Sequence, residues 1–273
     1  MRVGRIGYIN CYPVYGALDS GAVTMAAELV TGTPAELNDL LVAEKLDVSV
    51  VSAIEYVRHA RDLVLLSDLA ISCDGPVQSV ALFSRVPVSE LDGATVLLTA
   101  SSRTSVALLE LLCRDVWRVR PVFAQARAEA SDLAALAGLP HEAVLVIGDP
   151  ALLLAARATY AHRVDLGEAW KQWTGLPFVF AVWAARRTAS ASETRAVHAA
   201  LLASRAWGLA HLDLLAERAA RTTGVPRAAC RSYFAGLDYA LTPKHLAGLT
   251  DFCRRLAAQG LVPAASLQFL HVA

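Results

Sequence analysis

Short apolar runs alternate with segments of helical periodicity over the first two thirds of the chain. The apolar and β-branched runs are too short for most helices and favour buried strands. They predict strands at residues 3–9, 47–51, 77–85, 94–99, 143–147 and 178–184. Strands that alternate with helices are typical of an α/β protein.

Capping signals mark the starts of two helices in this part of the chain. Thr33 is a suitable N-cap residue, Pro34 fits the first turn, and Glu36 completes a capping box. Asp149 is expected to cap the helix that Pro150 opens. These signals place both helices directly beside predicted strands.

The chain changes character beyond Ser190, where it becomes almost wholly helical. No internal repeat and no flexible Gly/Ser linker separates the two α/β series. We therefore predict two lobes joined by short crossovers. The first lobe takes residues 1–85, the second takes 86–182, and 183–273 return to the first as its last strand and a helical C-terminal section.

The composition narrows the choice of partners. The chain has 273 residues, 55% of them hydrophobic and 18% charged, with 25 basic and 25 acidic side chains. Such a chain can bury a sizeable core, which excludes a disordered or fibrous protein. Nucleic acid and anionic membranes call for a basic excess, so neither is expected as the main partner.

Neither metal nor cofactor signatures occur in the sequence. The five cysteines are scattered without C-x-x-C spacing, and the seven histidines form no H-x-x-x-H pair. Glycine-rich phosphate loops and the G-x-S-x-G elbow are also missing. We expect reduced, buried thiols, no metal and no cofactor. Without a signal-like or membrane-spanning run, a cytoplasmic location is expected.

The strongest chemical signal is the polar run from Ser101 to Ser105, which reads S-S-R-T-S and opens a predicted helix. The first N–H groups of a helix lack internal partners and carry partial positive charge. Hydroxyls and the guanidinium of Arg103 at that point suit a carboxylate or a phosphate. Ordinary capping by one of the serines is the alternative interpretation.

Further candidate ligand-binding residues lie directly after or before predicted strands. Open α/β sheets bind ligands at the ends of their strands. Asn10 can orient a hydroxyl through its amide, or can be a plain turn residue. Ser52 has the same placement, and Ser79 either faces a ligand or alternates outward. Gly148 permits close approach of a ligand, while Asp149 binds one or only caps its helix.

Six segments in this order resemble a known family, over about residues 3 to 260. They are residues 6–13 (IGYINCYP), 52–56 (SAIEY), 75–80 (GPVQSV), 101–105 (SSRTS), 147–152 (IGDPAL), and 165–181, which contain DLG and TGLPFVFA. Together they are similar to the chorismate dehydratases of the futalosine route to menaquinone. That family resembles type II periplasmic binding proteins, which have two α/β lobes and a ligand cleft between them.

The resemblance implies an enzyme that eliminates water from chorismate, giving 3-[(1-carboxyvinyl)oxy]benzoate. A sister enzyme of that route, 1,4-dihydroxy-6-naphthoate synthase, shares the fold and has a histidine after the strand that here ends at Ile147. This chain has Gly148 and Asp149 there, and no histidine before His162. The departure favours the dehydratase, while a non-catalytic carboxylate-binding protein is the alternative from another class.

The resemblance also assigns roles within the candidate site. Asn10 is expected to be the catalytic residue, at the departing hydroxyl or the reacting edge of the substrate. Arg103, Thr104 and Ser105 are expected to hold one carboxylate, and Ser52 and Ser79 the opposite one. The full set of expected substrate-binding residues is Ser52, Ser79, Ser102, Arg103, Thr104, Ser105, Gly148 and Asp149. The proton acceptor is left open, with a carboxylate of the substrate itself as one possibility.

Overall fold

The computed structural model describes residues 1–136, 138–264 and 266–270. It is an α/β structure whose backbone divides into two compact units. One comprises Met1–Ser72 with the chain from Val179 onward, and the other comprises Cys73–Phe178. The division differs from the expected boundaries after residues 85 and 182. The strand that ends at Ser84 pairs with strands of the second unit, so it belongs there.

Ten strands form two five-stranded sheets within the described residues. They are β1 (Arg2–Ile6), β2 (Glu28–Gly32), β3 (Val48–Ser52), β4 (Leu63–Cys73), β5 (Val80–Ser84), β6 (Thr95–Thr99), β7 (Val122–Ala126), β8 (Ala143–Ile147), β9 (His162–Asp165) and β10 (Phe178–Arg186). The first sheet has the order β2-β1-β3-β10-β4, and the second has the order β7-β6-β8-β5-β9. Each sheet mixes parallel pairs with antiparallel ones.

Eleven α-helices accompany these strands in the described part of the chain. They are α1 (Tyr12–Ser20), α2 (Pro34–Val42), α3 (Ala53–Arg58), α4 (Arg103–Leu111), α5 (Leu133–Leu136), α6 (Gly148–Arg157), α7 (Leu166–Thr174), α8 (Ala191–Ala210), α9 (Leu212–Thr223), α10 (Arg227–Gly236) and α11 (Pro243–Ala257). A π-helical stretch, Leu112–Trp117, continues α4. The last four helices confirm the helical C-terminal section.

Central strands supply much of the buried core. Every residue of β3, β5 and β8 is buried. Because these strands lie inside their sheets, both of their faces are covered and they read as continuous apolar runs. The segments that follow or precede these strands are therefore anchored to the buried core. The sheets position the candidate residues in this way, because those residues lie at or near strand ends.

Local signals were right at one helix start and wrong at another. The capping box of α2 is confirmed, since Thr33 Oγ1 accepts the N–H of Glu36 while Glu36 Oε2 accepts the N–H of Thr33. Asp149 does not cap α6, however. That helix already begins at Gly148, with Ile147 as its N-cap residue. Asp149 therefore lies in the first turn, where its charge favours the helix dipole.

Two predicted strands are shorter than expected. The first strand ends at Ile6, and a 3₁₀ turn over Ile9–Cys11 takes its place. The strand expected from residue 77 begins only at Val80. The N–H groups of Val77 and Gln78 donate to a side-chain carboxylate instead of to a neighbouring strand.

The described part of the chain contains no group of three or more His, Cys, Asp or Glu residues that could hold a metal ion. It also contains no helix with the length and apolarity needed to cross a membrane. None of the five cysteines, which all lie in the described part of the chain, forms a disulfide bond; four are buried and Cys253 is half-buried. The prediction of buried thiols is confirmed for four of them, while Cys253 is less buried than expected.

Candidate functional site

Asn10 lies in the 3₁₀ turn between β1 and α1, at the carboxyl end of β1. Its Oδ1 atom is buried, and nothing among the described residues donates a hydrogen bond to it. A buried acceptor without a donor costs about 1–3 kcal/mol. The Oδ1 atom of Asn10 is therefore an acceptor that a ligand donor could satisfy.

Ser52 ends β3 and immediately precedes α3. Asn38 of α2 is fully buried and makes two bonds with Ser52. Its Oδ1 accepts the Ser52 N–H at 3.0 Å, and its Nδ2 donates to Ser52 Oγ at 3.1 Å. Since Oγ already accepts from Asn38, the hydroxyl proton of Ser52 is directed elsewhere. β1 and β3 are parallel, so Asn10 and Ser52 lie at the same edge of the sheet.

Tyr239 is a buried polar residue of the same unit that sequence reasoning missed. Its Oη atom has no hydrogen-bond partner among the described residues. Burial, followed by the nearby Tyr233 and Cys11, holds the pKa of Tyr239 well above its usual value. The hydroxyl therefore stays protonated, as a neutral donor near the residue that follows Asn10. It lies between α10 and α11, where no motif or periodicity marks it.

Ser79 and Gly148 meet at one edge of the second sheet. Ser79 immediately precedes β5, and Gly148 immediately follows β8. The two strands are antiparallel with Val80 opposite Ile147, and the Gly148 N–H donates to the Ser79 carbonyl at 2.7 Å. Gly148 has φ 65°, a conformation that glycine adopts readily. The structure thus brings these two candidates into direct contact.

The S-S-R-T-S run lies at the same edge, because β6 leads into it and β6 is parallel to β8. Ser102 is the N-cap residue of α4: its Oγ accepts the Ser105 N–H at 3.2 Å and donates to Ser105 Oγ at 2.9 Å. The ordinary capping interpretation is therefore right for Ser102. Thr104 and Ser105 are buried, and Arg103 is half-buried in the first turn of the helix.

Glu129 is a carboxylate at this edge that sequence reasoning missed. β6 and β7 are parallel neighbours, and the chain after β7 carries Glu129 toward the loop after β6. Ser101 Oγ donates a hydrogen bond to Glu129 Oε1. The Ser101 hydroxyl is thereby engaged with a carboxylate of the protein. The groups at this loop that could contact an anion are therefore Arg103, Thr104 and the helix N–H groups rather than Ser101.

Asp149 brings a second carboxylate to this edge, in the first turn of α6. Its side chain is half-buried. A carboxylate accepts hydrogen bonds and repels other carboxylates. Asp149 is therefore suited to a hydroxyl of a ligand or to a positioning contact, rather than to a carboxylate of a ligand.

Sequence comparison connects this arrangement with known proteins. A family model described as menaquinone biosynthesis matches residues 1–258. A chorismate dehydratase from Thermus thermophilus is 35% identical over 238 residues, which are 82% of this chain and 84% of the relative. A chorismate dehydratase from Campylobacter jejuni is 28% identical over 185 residues, covering 66% of each chain.

Structure comparison supports the fold. Protein AF1704 from Archaeoglobus fulgidus superposes with a TM-score of 0.81 at 20% identity, covering 96% of this chain and 98% of that one. The alkanesulfonate-binding protein SsuA from Xanthomonas axonopodis, bound to MOPS, gives a TM-score of 0.69 at 16% identity, with coverages of 98% and 95%. The chain thus has a periplasmic-binding-protein-like fold, and it belongs to the chorismate dehydratase family of menaquinone biosynthesis.

Proposed function

We propose that this chain is a chorismate dehydratase that acts in the futalosine route to menaquinone. The relatives named chorismate dehydratase support the activity. The observation that carries the proposal within the chain is the buried Asn10 Oδ1 atom, which nothing among the described residues satisfies. It suits a neutral donor such as the hydroxyl that leaves chorismate. We further propose that the enzyme works in the cytoplasm.

The reaction calls for positioning more than for strong acid or base chemistry. The ring proton beside the ether is vinylogous to the ring carboxylate, so its removal gives a delocalised anion that expels the neighbouring hydroxyl as water. Aromatisation makes this elimination strongly downhill. The enzyme has to hold the dianion, favour elimination over pericyclic rearrangement, and assist departure of the hydroxyl.

In the first unit, uncharged groups carry the proposed roles. The Oδ1 atom of Asn10 accepts a hydrogen bond from the leaving hydroxyl and thereby orients it. The Ser52 hydroxyl, which Asn38 leaves free to donate, binds a carboxylate. Neutral donors suit the reacting end of the substrate, because their hydrogen bonds stabilise the delocalised anion but do not return a proton to the reacting carbon.

In the second unit, Arg103 with Thr104 and the N–H groups that open α4 bind the other carboxylate. Ser102 and Ser105 shape that turn through their mutual bonds. For Ser79 we likewise propose a hydrogen bond to a carboxylate of the substrate. For Gly148 and Asp149 we keep a substrate-binding role, with Gly148 allowing close approach.

For the proton, we propose that the enolpyruvyl carboxylate of the substrate is the acceptor. None of the residues assigned above is a histidine or a glutamate base. The carboxylate is tethered to the carbon that carries the proton, so the transfer is intramolecular and favoured by proximity. The water eliminated then consists of this proton and the hydroxyl that Asn10 orients.

The test is to mix the purified chain with chorismate and follow ultraviolet absorbance and mass. We expect an aromatic product whose mass is lower than that of chorismate by one water. Prephenate, the product of spontaneous rearrangement, has the mass of chorismate, and a reaction without protein measures its formation.

Two other outcomes would overturn the proposal. Turnover of the cyclic futalosine derivative, with none of chorismate, would make the chain the naphthoate synthase. A chorismate-dependent thermal shift without any product would make it a binding protein.

A further inference from the structure

Asp165 binds the backbone of the segment that contains Ser79, a role that no sequence motif indicates. Its Oδ1 atom accepts the N–H groups of Gly167 at 2.9 Å and Glu168 at 3.1 Å, which caps α7. The same atom accepts the Val77 N–H at 3.0 Å, and Oδ2 accepts the Gln78 N–H at 2.6 Å. One carboxylate thus satisfies two helix donors and two donors of a distant loop.

Gln78 has a backbone conformation that needs this support. Its φ is 64°, in the left-handed region that side chains other than glycine rarely adopt. Arg163 Nη2 donates to the Gln78 carbonyl at 2.6 Å, so both peptide groups of this residue are held. A tight turn, with the Ser79 N–H donating to the Val77 carbonyl at 2.8 Å, then leads into β5. Ser79 owes its direction to the conformation at Gln78.

The start of α7 packs against the same loop without room for a side chain. A Cβ atom on Gly167 would lie 2.6 Å from Cys73 Sγ and 2.7 Å from the Gly75 carbonyl oxygen. One turn further on, Lys171 Nζ donates to Asp74 Oδ1 at 2.5 Å. Helix and loop therefore form one packed element, with Asp165 at its centre.

We propose that Asp165 is a positioning residue for substrate binding: its carboxylate holds Gln78 in the left-handed conformation that directs Ser79 toward the substrate. The inference rests on the proposed function for the identity of the substrate. The contact between the Ser79 carbonyl and the Gly148 N–H transmits the same conformation to the loop after β8.

Asp165→Asn isolates the contact with Gln78. Asparagine is as good an N-cap residue as aspartate, so its one oxygen keeps the bonds to α7 and to Val77. Its NH₂ group then faces the Gln78 N–H, donor against donor. The variant loses the support of the left-handed residue and retains the helix cap.

Steady-state kinetics with chorismate are the first readout. The left-handed conformation of Gln78 loses a hydrogen bond to a charged group, so its population should fall about tenfold or more. The apparent affinity falls with the population of the binding-competent conformation, so we expect KM to rise by that factor. We expect kcat to change less than about threefold, because Ser79 binds ground state and transition state alike. Gln78→Gly removes the need for support, so the double variant Asp165→Asn/Gln78→Gly should recover the KM of Gln78→Gly alone. A double variant as impaired as Asp165→Asn would overturn the inference.

Asp92→Asn is the matched control. Asp92 also accepts a backbone N–H, that of Arg120 at 2.7 Å, in the same unit. We expect it to lower the melting temperature without changing KM. An equal KM increase in this control would assign the Asp165 effect to stability alone and overturn the inference.

Amide exchange separates this inference from the proposed function. In Asp165→Asn the Gln78 amide should exchange faster, while amides of β8 stay protected. Wild-type protein that fails to dehydrate chorismate would overturn the function, and faster exchange at Gln78 would still support the positioning role. Unchanged exchange at Gln78, or an unchanged KM in an active enzyme, would overturn the positioning role.

Discussion

The two units hold their candidate serines in opposite ways. In the first unit the neutral amide of Asn38 both accepts from the Ser52 N–H and donates to its hydroxyl. In the second unit the carboxylate of Asp165 accepts backbone N–H groups only and acts on Ser79 through Gln78. Asn38 thereby sets where the serine proton points, whereas Asp165 sets the direction of the backbone.

The same contrast extends to the groups around these serines. Asn10 and Tyr239 add uncharged polar atoms without partners among the described residues of the first unit. Arg103 and Glu129 add charges to the edge of the second sheet. A dianionic substrate needs a cation for affinity, while its reacting carbon needs groups that do not trap a proton. We therefore propose that Asn10 in the first unit acts mainly on turnover and that Arg103 in the second acts mainly on affinity.

Asn10→Ala is expected to have the largest effect on this comparison. It removes the acceptor assigned to orienting the leaving hydroxyl, and misplacing a reacting group lowers the rate about 10²-fold. KM should change little, because the carboxylate contacts remain. Single-turnover kinetics measure the effect on the chemical step, and the melting temperature measures the effect on stability. A folded variant with full turnover would show that Asn10 does not take part in the chemistry.

Arg103→Gln should act on affinity instead. A charge-assisted hydrogen bond contributes about 1.5–3 kcal/mol, so chorismate should bind about 10–100-fold more weakly. The salt dependence of KM should also weaken, because one cation is lost from the site. Arg114→Gln is the control, since Arg114 pairs with Asp115 at the end of the same helical run. If kcat falls in Arg103→Gln while KM stays unchanged, the division of roles between the units is wrong.

The sequence was most informative where both faces of a strand are covered. β3 and β8 were predicted within one residue because continuous apolar runs mark buried strands. β2, β4, β7 and β9 were missed, and all four are edge strands of their sheets. β2, β7 and β9 are also half-exposed or exposed and lack such a run. The boundary after residue 85 failed for another reason: β5 pairs antiparallel with β8, and a pairing between distant segments leaves no local signal.

The candidate site shows the same limit. Residues after strands, such as Asn10 and Ser52, could be named because sheet edges follow from the strand pattern. Their supports could not be named, because Asp165 lies 88 residues from Val77 and Asn38 lies on a helix 14 residues before Ser52. A single sequence shows which hydrogen bonds such a side chain can form, but it does not show which residue is its partner.

Of these variants, Asn38→Ala should have the smallest effect on activity, but it tests most directly how the two units hold their serines. It leaves the buried Ser52 N–H without an acceptor, at a cost of about 1–3 kcal/mol in the free energy of unfolding. It also frees the Ser52 hydroxyl to rotate, so we expect KM to rise only about 3–10-fold, below one full charge-assisted bond. Ser49→Ala is the control: its Oγ donates to the Val50 carbonyl on the same strand, away from Ser52. Both variants should melt earlier, and only Asn38→Ala should raise KM. Equal KM values in the two would mean that Ser52 needs no orientation by Asn38, which would leave Asp165 as the one side chain with a positioning role.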